Sequence, residues 1–341
     1  MIQTSPLGIP AEAKARLRIL FVAKNALWDG DLHPEDGNHA RYHREMREVL
    51  EGLGLDLTIS QTHDVIFDPP ADIDFVFPLL NRAGFFNSEM LLPILCERAG
   101  IPYLGANPIL RGLADDKHLA KRSARDCGVP TAPWKVFRKG APITPEGLPE
   151  AKRYVVKPNN SSASWGVEDA YDWNGVVAAV ERIHTDPANG GQDAIVEPFL
   201  NGSDVEVPVV TINGEPHILP MLIFRQADPT HLRSYYEKRD LVDRTQKYSL
   251  DPLEDPQLIE RISELTRRCW EEYRPFDYGR FEFRMNEEIG EVQFLEVNLN
   301  CNLWSEKVFG RAAQMAGWSQ SELIETILAE SLARHGLIDR A

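Results

Sequence analysis

The sequence predicts a mixed α/β and α+β chain, with an open α/β domain at the amino end and antiparallel hairpins in the larger part that follows. Three observations carry this. Over residues 1–110, short apolar runs alternate with amphipathic stretches, the pattern of a parallel sheet flanked by helices. Further on, apolar runs come in pairs around turns, at Asn213-Gly214 and at Asn286 to Gly290. Finally, 341 residues are too many for one small core, so two or three packed units are expected.

Taken in order, Leu17 to Ala23 is a buried strand, and a polar loop rich in Asp, Gly and His follows from Trp28 to His39. Tyr42 to Leu53 has helical periodicity and stops at Gly54. Leu55 to Ser60, Ile73 to Leu80 and Ile101 to Leu104 are strands, and Met90 to Arg98 is a helix. Site residues in open α/β sheets gather at strand carboxyl ends, which singles out Lys24 to Asn38 and Asn81 to Asn87; solvated surface is the plainer reading of both loops. A basic helix begins at Asp115-Asp-Lys117 and runs to Cys127, and Trp134 to Phe137 is a strand. Asn174 to Thr185 is a helix with Asn174 as its N-cap. Asp204 to Ile212 and His217 to Phe224 form a hairpin, Gln226 to Asp251 is a long charged loop of the kind that covers a site, and Ile259 to Tyr273 is a helix. Helices over Lys307 to Ala316 and Ser319 to Arg334 close the chain.

A hydrophobic content of 43% with 26% charged residues is that of an ordinary globular protein. The formal net charge of −15 argues against a general nucleic-acid or anionic-membrane binder, which needs a basic face. Apolar runs fall short of the roughly 20 residues that span a bilayer. Met1 to Pro10 lacks the features of a secretory signal, so a cytoplasmic location is expected. Cys96, Cys127, Cys269 and Cys301 are scattered without metal-ligand spacing, which suits free thiols in a reducing compartment.

Two stretches carry chemistry. Pairing of the strands around Phe281 and Val292 to Val297 brings the carboxylates of Glu282 and Glu296 together, with the amide of Asn298 beyond them. Two carboxylates and an amide oxygen suit Mg²⁺; an ordinary hairpin with two solvated acids fits the residues as well. Arg153 to Pro158 is a strand ending in Lys157, followed at once by the small-residue loop Asn159 to Gly166. Such a loop turns backbone N–H groups toward phosphate oxygens and the lysine adds a counter-charge, although by itself it is also a plain loop.

Together these pieces resemble the ATP-grasp superfamily, and within it the D-alanine–D-alanine ligase branch. The resemblance runs from Leu17 onward and is strongest in four places. They are Arg98-Ala-Gly-Ile-Pro-Tyr-Leu-Gly-Ala-Asn107 with Asp116-Lys117 and Gly128 to Trp134; Val156-Lys-Pro158 with its loop; Val196-Glu-Pro-Phe-Leu-Asn-Gly202 leading to Asp204-Val-Glu-Val207; and Gly279-Arg-Phe-Glu282 with Leu295-Glu-Val-Asn298. It implies an ATP-grasp fold with an amino-terminal α/β domain over 1–110, a central unit over 111–200 and a carboxyl-terminal unit over 201–341. Lys117 and Lys157 would hold ATP phosphates, under a loop from Ser161, Ser162 and Ser164 to Gly166. Glu197 and the backbone of Pro198, Phe199 and Leu200 would read adenine, and Asp204 the ribose. Glu282, Glu296 and Asn298 would hold Mg²⁺, with Mn²⁺ as an alternative, and Arg280 would stabilise the oxyanions of an acyl phosphate and of the tetrahedral adduct. Arg280, Lys157 and Ser164 would be the catalytic set. The implied reaction joins a carboxylate to an amine, both small amino-acid-like molecules, with release of ADP and phosphate. A homodimer without nucleic-acid or membrane partners is expected.

Departures from the family concentrate on substrate positions. Ala163 replaces a serine of the phosphate loop; Arg239 and Asp240 stand where a lysine and a tyrosine of the lid stand; Cys301-Asn302 replaces Pro-Gly, so an oxyanion-hole N–H would come from Asn302; and Lys307 replaces a serine that contacts the second substrate. The glutamate that holds the first substrate's ammonium has no clear counterpart among His39, Arg41 and Glu45. Substrates other than D-alanine on at least one side follow, as in specialised amino-acid or natural-product ligases, with Arg239, Asp240, Asn302 and Lys307 as the substrate-binding set. Two other readings stay open: a ligase nearer the glutathione-synthetase or L-amino-acid-ligase groups, and a nucleotide-binding protein that has lost catalysis.

Overall fold

The computed structural model describes residues 5–80, 88–187, 191–238, 242 and 248–340. At the amino end, helix α1 (Ala11–Arg16) leads into β1 (Arg18–Val22), helix α2 (His39–Gly52), β2 (Asp56–Ser60), β3 (Phe75–Pro78) and helix α3 (Leu91–Ala99). The three strands form a parallel sheet in the order β2-β1-β3. Strand alternation sends Ile19 and Phe21 into one core and Leu20 and Val22 into another, so this sheet is buried on both faces, as parallel sheets are. Ile101 to Leu104 forms no full strand: it contributes one parallel bridge, Val76 to Tyr103, because the chain turns away at Gly105.

Helices α4 (Pro108–Asp115) and α5 (Lys117–Asp126) are separated by the single residue Asp116, whose side chain caps α5 at Leu119 N–H. A four-stranded antiparallel sheet follows, from β4 (Lys135–Phe137), β5 (Tyr154–Pro158), β6 (Glu168–Ala170) and β7 (Ala194–Pro198), in the order β4-β7-β5-β6. Helix α6 (Trp173–Thr185) covers it through Val176, Ala179, Val180 and Ile183. Its N-cap is Asp172, two residues before the expected Asn174, because the Asp172 carboxylate reaches Gly175 N–H at 2.8 Å.

The remaining chain holds β8 (Ser203–Ile212), β9 (Glu215–Ile218), β10 (Leu222–Gln226), α7 (Tyr235–Lys238), β11 (Tyr248–Pro252), α8 (Pro256–Tyr273), β12 (Tyr278–Asn286), β13 (Glu291–Asn298), α9 (Val308–Met315) and α10 (Gln320–Arg334). The sheet order is β11-β10-β8-β12-β13, with β9 also on β8. The expected return strand from His217 to Phe224 is two strands. Asn213 and Gly214 at positive φ close the turn into β9, and Pro220, which has no N–H for the ladder, marks the break before β10. The outer core of the amino-terminal sheet is continuous with α9 and α10, since Phe21, Phe77, Leu323 and Ile327 belong to one cluster. Among the described residues no helix is long and apolar enough to cross a membrane, and the four cysteines are free.

Candidate active site

The β12–β13 hairpin is the expected one, but its details depend on a bulge. Glu282 pairs with Glu296 and Phe283 with Phe294, so Leu295 is an extra residue. Strand alternation would otherwise put Glu296 on the same face as Phe294, in the core. The inserted residue shifts the phase: Val297 packs inward and Glu296 and Asn298 join Arg280 and Glu282 on the open face. On its other side Glu282 pairs with Glu206 of β8, whose neighbours Val205 and Val207 are core. Three carboxylates therefore stand in a row across three strands.

Their surroundings set them apart. Arg280 bonds Glu282 through both Nε, at 3.0 Å, and Nη2; its Nε also lies 2.7 Å from Glu206 Oε2, out of line for a hydrogen bond. Burial pushes the Glu282 carboxyl up to about 8; Arg280 opposes this, while Glu206 and Glu296 add to it. Burial also acts to raise Glu296, but Lys117, Lys238 and Lys157 outweigh it and hold that group below the ordinary carboxylate range. The Asn298 amide nitrogen donates to Glu282 Oε1 at 2.7 Å and to Glu296 Oε1 at 3.2 Å. Asn298 thus turns its NH2, not its oxygen, toward the acids; a divalent cation would supply the positive charge that the buried Glu282 lacks, held by the two carboxylates with the Asn298 amide rotated to present its oxygen. Among the described residues no three His, Cys, Asp or Glu side chains enclose a metal position, and the candidate set is two acids and an amide.

The lysines arrive from the other side. Lys117 is the first residue of α5, its backbone N–H bonded to Asn159 O, and its Nζ donates to Ser161 O at 2.5 Å and lies 4.0 Å from Glu296 Oε2. In the following loop Ala163, Ser164 and Gly166 all take positive φ, which turns the backbone sharply. Trp165 at its end packs edge-on to Tyr235 of α7, with ring centroids 4.7 Å apart. Ser161, Ser162 and Ala163 line the cavity beneath, whereas Ser164 is not among its lining residues.

Lys157 bonds Glu197, whose other oxygen pairs with Lys121 at 2.8 Å. Burial alone would raise the Glu197 carboxyl; the two lysines bring it down to about 2. Pro198 lies at the end of β7, and Phe199 N–H bonds Arg153 O. The guanidiniums of Arg153 and Arg284 lie 4.0 and 5.5 Å from the Phe199 ring centre, and Arg284 also holds Leu200 O at 3.0 Å and Asp204 Oδ1 at 2.8 Å.

One cavity of about 650 Å³ is lined by Lys117, Asp204, Arg280, Glu282, Glu296, Asn298, Asn302 and Lys307, whereas Lys157, Glu197 and Pro198, Phe199 and Leu200 are not among its lining residues. Asn302 accepts from Trp304 N–H, and Lys307, the residue before α9, holds its ammonium 5.6 Å from the Trp304 ring centre. Arg239, Asp240 and the stretch 81–87 lie outside the described residues. The amino-terminal wall comes from Lys24, Asn25, Asp36, His39 and His43, with Lys24 and Asp36 paired at 2.7 Å. Glu45 is tied to the Ser305 N–H and hydroxyl at 3.0 and 2.7 Å and so serves the loop after β13.

Sequence reasoning missed Glu206, Arg233 and Lys238, which also line the cavity, and Lys121, which pairs with Glu197. Lys238 sits in a run of charges without a period. The signal for Glu206 was there, since with Asp204 it stands at alternating positions of an otherwise apolar strand.

Comparison with known proteins bears on the fold and the family. The profile of the D-ala D-ala ligase C-terminus family matches residues 124–329, more than half of the 341-residue chain. The uncharacterized protein y4sG of Sinorhizobium fredii is 29% identical over 239 residues, 70% of this chain and 68% of its own. The D-alanine–D-alanine ligase of Maridesulfovibrio salexigens is 27% identical over 83% of this chain and 94% of its own. Among solved structures, the Bacillus anthracis D-alanine–D-alanine ligase complexed with ATP superposes with a TM-score of 0.71 at 20% identity, covering 94% of this chain and 99% of that one. The VanG D-Ala:D-Ser ligase of Enterococcus faecalis gives 0.70 at 16%, over 93% and 99%. The fold is thus that of the D-alanine–D-alanine ligases, and the chain belongs to that family of ATP-grasp proteins.

Proposed function

We propose that the protein is an ATP-dependent carboxylate–amine ligase acting on small amino-acid-like substrates, at least one of them other than D-alanine. The observation that carries this is the convergence on one cavity of the bulge-phased acids Glu282 and Glu296, the cation Arg280, Lys117 of α5 and Lys238 of α7. A carboxylate is a poor electrophile; phosphorylation makes it one, and the amine then displaces phosphate. A divalent cation held by Glu282, Glu296 and Asn298 would neutralise the phosphate charge that grows during transfer. The chain's own residues do the rest. Lys117 and Lys157 fix phosphate oxygens with ammonium groups already placed by Ser161 and Glu197. Arg280, anchored by Glu206 and Glu282, presents a fixed positive charge to an oxyanion at the reacting carbon and needs little rearrangement to do so. On the proposed division into 1–110, 111–200 and 201–341, each unit supplies a wall of the cavity.

The substrate reading rests on the departures. With Glu45 committed to Ser305, the amino-terminal wall presents His39, His43 and Asn25 instead of a single free acid. Lys307 adds a cation on the side of Asn302. Panels of carboxylates and amines, scored by phosphate release, test the function. Release with no pair of substrates would favour a nucleotide-binding protein without ligase activity.

Two outcomes are expected along the way. Lys157→Ala should weaken ATP binding about tenfold or more, read by calorimetry, since one charge-assisted hydrogen bond contributes about 1.5–3 kcal/mol. Unchanged affinity would make Lys157 only the partner of Glu197. Lys307→Ala should raise KM for the amine substrate about tenfold to a hundredfold and leave KM for ATP alone. An amine KM within about twofold of wild type removes Lys307 from the substrate site.

A further inference from the structure

The outer face of α5 carries a second cavity, of about 440 Å³, that the ligase reading does not use. His118, Arg122 and Arg125 line it at the spacing i, i+4, i+7, which puts three side chains in one stripe along the helix. Pro133, Trp134 and Val136, leading into and along β4, form the opposite wall. Lys117 and Lys121 of the same helix do not line it: the Lys117 ammonium bonds Ser161 O, and that of Lys121 is held by Thr131 and Glu197. The stripe is therefore separate from the phosphate lysines.

Charge is concentrated here in a chain with a net charge of −15. Arg138 bears on His118 together with Arg122 and Arg125. Arg138 is neutralised by Asp193 at 2.6 Å, and Asp116 is occupied as the helix cap. Among the described residues no carboxylate lies within ion-pair distance of Arg122 or Arg125. Arg125 instead rests with its guanidinium carbon 5.0 Å from the Trp134 ring centre, which holds the group over a flat surface.

Trp134 also sets the state of His118. An indole N–H only donates, and Trp134 Nε1 lies 2.8 Å from His118 Nδ1, so Nδ1 accepts and the ring proton is on Nε2. Burial, and after it Arg138, lower the His118 pKa and favour this neutral tautomer. The cavity thus offers two guanidinium forks and one imidazole N–H, all donors.

We propose that this cavity is a binding site for the phosphoryl group of a small molecule, held by Arg122 and Arg125 with His118 as a further donor. Guanidinium forks match phosphate oxygens in pairs, and a cavity of this size takes a molecule of a few to a dozen heavy atoms beyond the phosphate. Behind the site, Trp134 lies 5.3 Å from the Lys121 ammonium that pairs with Glu197.

The test uses protein labelled with ¹⁵N at its seven tryptophans. The Trp134 indole signal is assigned with Trp134→Phe and followed during titration with inorganic phosphate or with glycerol 3-phosphate, against chloride at matched ionic strength. A saturable shift with either is expected. Tighter binding of glycerol 3-phosphate identifies a phosphomonoester, and equal or tighter binding of phosphate identifies the free anion. The double variant Arg122→Gln, Arg125→Gln should weaken binding at least tenfold, with the other indole signals in place. If that variant does not fold, Arg122→Lys with Arg125→Lys keeps both charges and loses both forks, and should bind more weakly than wild type. No saturable shift beyond that with chloride, or an affinity unchanged in the variant used, overturns the proposal.

Discussion

Replacing Glu296 by Gln is expected to lower divalent-dependent ATP turnover on the order of a hundredfold or more, since even residues that only orient a metal ligand contribute 10–100-fold. The substitution keeps the size of the side chain and its place after the bulge, and removes the charge that a hard cation requires. The fold should be unaffected, because the inward residues of β13 are Val292, Phe294 and Val297. A second readout has the opposite sign. Lys117, Lys157 and Lys238 all act on Glu296, so without its charge they present a more positive surface to phosphates. Metal-free ADP should bind at least as well as to wild type. A variant with near-normal turnover would remove Glu296 from the metal site, and one that loses ADP binding as well would point to collapse of the cavity.

The sequence made the hairpin legible because Phe281 and Phe283 alternate with Arg280, Glu282 and Arg284 on a strand whose other face is open. The bulge was not legible. Phe294, Leu295 and Val297 read as a strand apolar on both faces, and only the register shows that one extra residue lets Phe294 and Val297 share the core. The lysine of the Val156-Lys-Pro158 strand was singled out by its position before a small-residue loop, and the lysine that opens α5 only by the family resemblance. Their partners were not: Glu197 lies 40 residues from Lys157 and is reached through sheet pairing. Local rules failed where two side chains compete for one role, as with Asp172 and Asn174 at the start of α6. Periodicity failed where an element is too short to have one, as with the four residues of α7 that carry Lys238 into the cavity. The amino-terminal wall was readable only as a polar loop, since nothing local says which of its residues face the site.

Asp277→Ala is expected to be the most destabilising of these substitutions. The Asp277 side chain is fully buried and accepts three hydrogen bonds: from Gly105 N–H at 2.6 Å, and from Arg334 Nε and Nη2, each at 2.9 Å. Arg334 Nη2 also reaches Gly105 O at 3.1 Å, so the start of β12, the loop after β3's neighbouring segment and the end of α10 meet in one closed network. Removing the acid leaves a guanidinium without its counter-charge and a buried N–H without an acceptor. Breaking one side of a buried pair costs about 3–5 kcal/mol, which for a chain of this length lowers the apparent Tm on the order of 10 °C. Asp277→Leu combined with Arg334→Met removes both charges and fills the space with apolar atoms, and should recover part of the loss. A single variant that melts within about 2 °C of wild type would mean the network contributes little, and a double variant worse than the single would mean that Arg334 holds α10 through Gly105 and Ser331 instead.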